Sequence, residues 1–203
     1  MARLTREQSQ QLTREKLLLS ASEVVAREGY EGASVERIAE AAGFSKGAFY
    51  SNFSSKEDIL LQMLERHAGN DVVELGDLLR DVTDPDTVIE TIAQWSDTRA
   101  AELKWGLLAI EFLRRSWRDG TLDERRRYLF SSQWEAVGEL LRAKLFPGAG
   151  PDIAPLDLGG IVLELTYGGI SGFLEVNTAG QMVRQVLRAF VASVRPAQVP
   201  TAQ

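Results

Sequence analysis

Residues 43–60 read GFSKGAFYSNFSSKEDIL, a run in which hydroxyls, one amide and two lysines sit among glycines and aromatic rings. Serine hydroxyls and the Asn52 amide both donate and accept hydrogen bonds, while Lys46 and Lys56 add charged donors. Gly47 and Ala48 are small enough for another surface to come close. This inventory suits recognition. It is poor in catalytic groups, and the rest of the chain does not supply them. There is one histidine and no cysteine. No zinc-binding pair and no Cys-His dyad can be assembled from that set. No G-x-G-x-x-G or Walker sequence occurs to cradle a phosphate. Carboxylate pairs occur as in any charged helix, and nothing singles one out. His67 stands far from any acid pair and reads as structural. No catalytic residue, metal site or cofactor is expected.

The elements that must position the run are helical. Leu17, Leu18, Ala21, Val24 and Val25 recur at three and four residues and make one apolar face. Thr13 is a candidate cap for this helix, although the repeated Thr-Arg-Glu at 5–7 and 13–15 leaves its start open. Gly29 ends it. Ser34 suits the N-cap of a helix over 34–42, closed by Gly43. Ser45 suits the cap of another over 46–52. Ser54 and Glu57 have the spacing of a capping box for a fourth. Asp84-Pro85 opens a helix to about 100, followed by one near 102–118. Thr121 and Glu124 suggest a box for a helix to about 145, and PGAGPDIAP breaks the chain. Helices over 156–177 and 179–195 complete it. No alternating β pattern appears, so the expected fold is all-α with about nine helices.

The first three helices are too short to stand alone and must share a core. Val25, Tyr30, Val35, Ile38, Phe44, Phe49 and Phe53 are its candidates. Helix two, the Gly43-Phe44-Ser45 turn and helix three match a helix-turn-helix. Phe44, Phe49 and Phe53 then hold the third helix down. Ser45, Lys46, Gly47, Ala48, Tyr50, Ser51 and Asn52 are left on its outer face. A helix normally avoids glycine, at about 1 kcal/mol relative to alanine, so Gly47 marks a place where something else comes close. In a helix-turn-helix that partner is the DNA major groove. Lys46, Ser51 and Asn52 can reach base edges or phosphates, and Tyr50 and Lys56 phosphates.

With those residues in view, a resemblance becomes specific. The run SVERIAEAAGFSKGAFYSNFSSKEDIL, with LLLSASEVVAREGYEGA before it, resembles the DNA-binding signature of the TetR (tetracycline repressor) family. The matching positions are Gly29-Tyr30, Ser34, Ile38-Ala39, Ala42-Gly43, Ser45-Lys46-Gly47, Tyr50, Phe53 and Lys56, over about 13–61. Asn52 stands where the family often has histidine, and Ser51 where a larger or basic residue is common. The resemblance implies a three-helix DNA-binding domain over 1–54 and a helical ligand-binding and dimerisation domain over 55–203. It implies a repressor that binds a palindromic double-stranded DNA operator as a homodimer and is released by a small-molecule inducer. Ser34 joins the DNA-facing set on the same ground. An activator, or an all-α interaction protein without ligand-controlled repression, is the alternative.

The bulk numbers are compatible with this. The chain has 203 residues, 44% hydrophobic and 26% charged. Its net charge of −6 argues against a nucleic-acid partner if taken alone. Residues 1–58 are near neutral, with eight cations against nine acids, and most of the excess acid lies beyond them. Arg3, Arg6, Arg14 and Lys16 form either a DNA-contacting arm or a solvated tail. The most apolar stretch, IVLELTYGGISGFLEV, is interrupted by Glu164, Thr166 and Glu175 and is too polar and short to span a membrane. The opening residues lack the apolar segment of a secretory leader, and the absence of cysteine fits a cytoplasmic location.

In the second half, Ile161, Leu165, Gly168, Gly172, Phe173, Val186 and Phe190 are candidates for the dimer interface. The glycines allow close helix approach, either between chains or within one. Trp95, Trp105, Glu111, Phe112, Trp134 and Tyr167 are candidates for a ligand pocket, with Trp117 nearby in sequence. Aromatic walls with few polar groups suit a small molecule, and equally suit plain core. Glu111 also has Arg115 four residues on, an ordinary helical ion pair.

Overall fold

The computed structural model describes residues 5–148, 152–168 and 177–194. Among them the chain forms nine helices and no strand. These are α1 (Arg6–Gly32), α2 (Val35–Ala41), α3 (Lys46–Tyr50), α4 (Lys56–Leu78), α5 (Pro85–Ala101), α6 (Leu103–Arg118), α7 (Glu124–Leu145), α8 (Pro155–Tyr167) and α9 (Ala179–Val194). The fold is all-α. No helix of the described residues is long and apolar enough to cross a membrane.

Local chemistry sets the helix ends. Thr5 and Gln8 form a reciprocal capping box at the start of α1. Thr13 lies inside the helix, its hydroxyl donating to the Ser9 carbonyl at 2.9 Å. Gly29, at φ 70°, interrupts α1 as expected, and one further turn follows. Ser34 and Ser45 cap α2 and α3, each accepting a backbone N–H at 3.2 Å. Two other expected caps are corrected. Ser55, not Ser54, receives the N–H of Asp58 at the start of α4 (3.1 Å). The neighbouring Ser54 instead gives its N–H and hydroxyl to the Asp58 carboxylate. At α7, Asp123 and not Thr121 accepts the first-turn N–H, from Arg126 at 2.9 Å. A carboxylate two positions closer to the helix wins the donor. The stretch of the expected 156–177 helix beyond Gly168 falls, over 169–176, outside the described residues.

The chain divides into two compact units, residues 1–67 with 107–126, and residues 68–106 with 127–203. In the first unit Leu17, Ala21, Val24, Ile38, Phe49, Ile59 and Leu60 are fully buried. The second unit has its own core, built from Ile92 and Trp95 of α5, Leu141 of α7, Val162 of α8 and Leu187 of α9. Two helix pairs there touch backbone to backbone. A Cβ at Gly159 would lie 1.9 Å from the Trp134 carbonyl oxygen, and one at Gly180 would lie 2.2 Å from that of Ala93. These glycines serve close packing within one chain.

Candidate nucleic-acid interface

The turn between α2 and α3 is made by Gly43, at φ 73°. Phe44 N–H reaches back to the Ala39 carbonyl (2.8 Å) and Gly43 N–H to that of Glu40 (2.9 Å). Together they satisfy the last carbonyls of α2 and swing the chain into α3. α3 is held from beneath by Phe49 and Phe53, both essentially buried, their rings 5.7 Å apart. Phe44 is only half-buried, with the Lys16 ammonium 6.0 Å from its ring. Beyond Tyr50 the helix tightens into a turn, where Asn52 N–H donates to the Phe49 carbonyl. The helical part therefore stops two residues short of the expected 52.

Above this floor lies a polar surface. Ser45, Lys46, Gly47, Tyr50 and Ser51 are exposed, and Ala48 and Asn52 half-buried. Tyr50 stands edge-on to Phe49 at 5.5 Å with half its surface free. A Cβ added at Gly47 would meet only the Ser45 hydroxyl, at 3.7 Å. Nothing inside the protein requires glycine there, and its φ is ordinary. The Ser51 hydroxyl donates to the Gly47 carbonyl at 2.9 Å. The Asn52 amide nitrogen donates to the Ala48 carbonyl at 2.8 Å, while its Oδ1 is buried without a hydrogen-bond partner. Lys46 pairs with Glu36 of α2.

Lys56 of the expected DNA-facing set, and Arg14 of the N-terminal cation cluster, both bond within the chain. Arg14 of α1 donates to the Asn52 carbonyl at 2.6 Å, lies 4.4 Å from the Phe53 ring centroid and bonds Gln62 of α4. Gln62 in turn donates to Asp58 at 2.7 Å. Burial raises the Asp58 pKa, but the Ser54 N–H, Gln62, the Ser54 hydroxyl and nearby Arg125 outweigh it and hold the carboxyl below its usual range. Lys56 donates to the Tyr30 carbonyl at 2.6 Å and sits 4.5 Å from that ring, and burial pushes its pKa down. Arg115 of α6 also lies against Tyr30 at 4.9 Å and pairs with Glu31. These partners join residues up to 84 positions apart, and no local pattern announces them. Ser34 is half-buried, its hydroxyl occupied as the α2 cap.

The residues expected at a ligand pocket fall in both units. Glu111 and Phe112 belong to the first. Glu111 is paired with Arg114 (3.0 Å) and Arg115 (3.4 Å) of its own helix, and Phe112 is buried with Arg126 5.7 Å from its ring. Trp117 is 76% exposed. Trp95, Trp105, Trp134 and Tyr167 belong to the second unit. There the Tyr167 hydroxyl donates to a fully buried carboxylate, Asp71 of α4, at 2.5 Å. Arg99 (3.0 Å) and Gln133 (3.3 Å) share that carboxylate. Burial raises the Asp71 pKa, against the pull of Tyr167 and Arg99. Burial and the carboxylate likewise raise that of Tyr167. Trp95 lies 5.9 Å from the Arg99 guanidinium, and its own N–H is buried without a hydrogen-bond partner. Trp134 packs on Gly160, and Trp105 is half-buried beside Lys104. Asp71 was missed by the sequence reading, though it had a signal. It continues the stripe Leu64, Ala68, Asp71, Leu75 and Leu79, all buried, and so places an acid on an inner face.

Of the expected dimer residues, Ile161, Leu165, Gly168, Val186 and Phe190 are half-buried. Leu165 and Phe190 pack against the core of the second unit. Gly172 and Phe173 lie outside the described residues.

Comparison with known proteins agrees with this geometry. Residues 17–63 match the family described as bacterial regulatory proteins, tetR family. The chain is 44% identical over 71 residues to the HTH-type transcriptional activator FasR of Mycolicibacterium smegmatis, a match spanning 35% of this chain and 32% of that one. It is 27% identical over 192 residues to the HTH-type transcriptional repressor AcnR of Corynebacterium diphtheriae, spanning 92% of this chain and 94% of AcnR. In fold it is similar to the transcriptional regulator FadR from Bacillus subtilis, solved in complex with stearoyl-CoA. The TM-score is 0.66 at 16% identity, over 89% of this chain and 99% of that one. The family match falls on the capped α2–α3 pair and its phenylalanine floor, and the likeness to AcnR carries through the helices that follow; residues 17–63 are similar to the helix-turn-helix segment of the tetR family of bacterial regulatory proteins, and the chain is similar along nearly its whole length to a transcriptional repressor.

Proposed function

We propose that the protein is a dimeric, ligand-released repressor. Residues 1–54 serve as its reading head, and 55–203 as the part that binds effector and partner subunit. The observation that carries the DNA-contact assignment is Gly47. It has open space above it, exposed Ser45, Lys46, Tyr50 and Ser51 around it, and a fixed aromatic floor below. Such a surface fits a major groove, with Ala48 against thymine methyls and Tyr50 toward phosphates. Ser34 and Lys56 flank it through their helix starts, where backbone N–H groups attract anions.

Repression is supported by the likeness to AcnR along nearly its whole length. The likeness to the activator FasR covers 71 residues and bears on DNA contact. A palindromic operator follows from two-fold symmetry, with the two α3 helices in successive major grooves about 34–36 Å apart. The half-exposed Ile161, Leu165, Val186 and Phe190, with Gly168, Gly172 and Phe173, are the proposed dimer surface. For the effector, Trp95, Trp105, Trp134 and Tyr167 are the proposed lining, with the Asp71–Arg99 pair as the polar group that orients a small organic molecule. Glu111 and Phe112 are left out of that lining. Effector binding shifts the equilibrium between a DNA-competent and an incompetent spacing of the α3 pair, limited by its differential affinity for the two.

The test is titration of the protein onto DNA from its own upstream region at several salt concentrations. Binding should weaken linearly in log–log form as phosphate contacts are screened. Absence of binding even at low salt would overturn the operator assignment.

A further inference from the structure

Lys46 is the single cation of α3, and it stands at the end of the helix that the proposed reading places in the groove. It is bonded to Glu36, in the first turn of α2. The two side chains are 54% and 60% exposed, so the pair is no part of the core, and water screens it. The adjacent Arg37 is engaged elsewhere, pairing with Glu28 of α1 at 3.1 Å. Glu36 is therefore bonded across to the reading helix. A carboxylate there opposes the work of a DNA-facing surface. It repels phosphates, and it occupies a lysine that would otherwise neutralise one. Helix stability alone gives a partial reason, since an acid in the first turn is favourable. That role needs no lysine beside it.

We propose that Glu36 is a specificity-determining residue, which restrains Lys46 on arbitrary DNA and releases it only on a matching sequence. The proposal rests on the DNA-binding reading and deepens it. On an arbitrary duplex the reading head is held through phosphates, and Lys46 must break its pair to add one more such contact. The carboxylate is then left facing the groove with no donor. On the matching sequence Lys46 takes guanine O6 and N7 or a phosphate, and the freed carboxylate accepts from the N4 amino group of cytosine. Only that exchange satisfies both groups, so the pair lowers non-specific affinity more than specific affinity.

The experiment uses the full chain and two duplexes of equal length, the upstream fragment bound by the wild type and an unrelated sequence. Glu36→Gln should bind the unrelated duplex several-fold more tightly. Its salt dependence there should steepen by roughly 0.9 in log–log slope, the share of one phosphate. Affinity for the upstream fragment should not rise in step, so the ratio between the duplexes falls. In a Lys46→Ala background the same substitution should lose most of its effect. Equal shifts on both duplexes, or an effect that survives Lys46→Ala, would overturn the proposal. So would a drop in melting temperature with the ratio unchanged, which is the signature of a helix-capping role alone. Wild-type protein that binds neither duplex overturns the DNA-binding reading as well. Wild-type binding with an unchanged ratio in Glu36→Gln overturns this inference only.

Discussion

Gly47→Leu is expected to abolish operator binding while leaving the protein as stable as before, or slightly more so. A Cβ at this position has open space, with the Ser45 hydroxyl its one near contact at 3.7 Å. Leucine is also the better helix former, by up to about 1 kcal/mol. The folded chain alone therefore has no reason to resist the change. A duplex pressed against α3 does, because an isobutyl group would lift the helix off the base edges on either side. Losing the equivalent of two base contacts costs about 2–6 kcal/mol of binding. Thermal melts and fluorescence anisotropy on the same preparation check both halves of the expectation. Binding retained within a few-fold would mean that the groove does not meet α3 at this residue.

Phe49→Ala is expected to do the reverse, losing DNA binding by way of the fold. The ring is fully buried, lies 5.7 Å from Phe53 and 5.5 Å from Tyr50, and has no exposed edge with which to touch DNA. Truncating a buried phenylalanine costs about 3–5 kcal/mol. A helix as short as α3 (5 residues) has no stability of its own to fall back on. The unfolding midpoint in denaturant should drop accordingly, and anisotropy should show no operator binding. A cost below about 1 kcal/mol would contradict the anchoring role, since it is outside the range for a well-packed core ring. Taken together, the two variants separate the tasks that share this short segment. One disables the surface without harming the floor, and the other removes the floor.

What could be read from the sequence follows a physical divide. Features with a local cause were legible. Ser34 and Ser45 cap because a short hydroxyl reaches an N–H three residues on. Gly43 turns the chain because its φ of 73° is hard for other residues. Phe49 and Phe53 are buried because their spacing puts them on one face. Ties between local signals were not resolvable. Ser54 and Ser55 both satisfy a capping pattern, and the outcome depends on which one the Asp58 carboxylate engages. Thr121 lost to Asp123 in the same way.

Partners of long cations were illegible for a different reason. An arginine or lysine can direct its charge over a wide arc, and its destination is set by elements far away in sequence. Arg14 belongs to a cluster that reads equally as an arm for DNA or a solvated tail, and in the fold it ties α1 to the Asn52 carbonyl and Gln62. Lys56 looked like a phosphate ligand, yet its ammonium rests on the Tyr30 carbonyl and ring. The reading surface is accordingly less cationic than its composition suggests. Its remaining lysine, Lys46, is matched with an acid, Glu36 of α2.

In the proposed complex, two copies of α3 enter successive major grooves on one face of an operator. Hydroxyl-radical footprinting of the bound upstream fragment tests it directly. The expected result is protection on one face of the duplex, in two symmetric half-sites whose centres lie about 10–10.5 base pairs apart. A single protected half-site, or diffuse protection without symmetry, would contradict it.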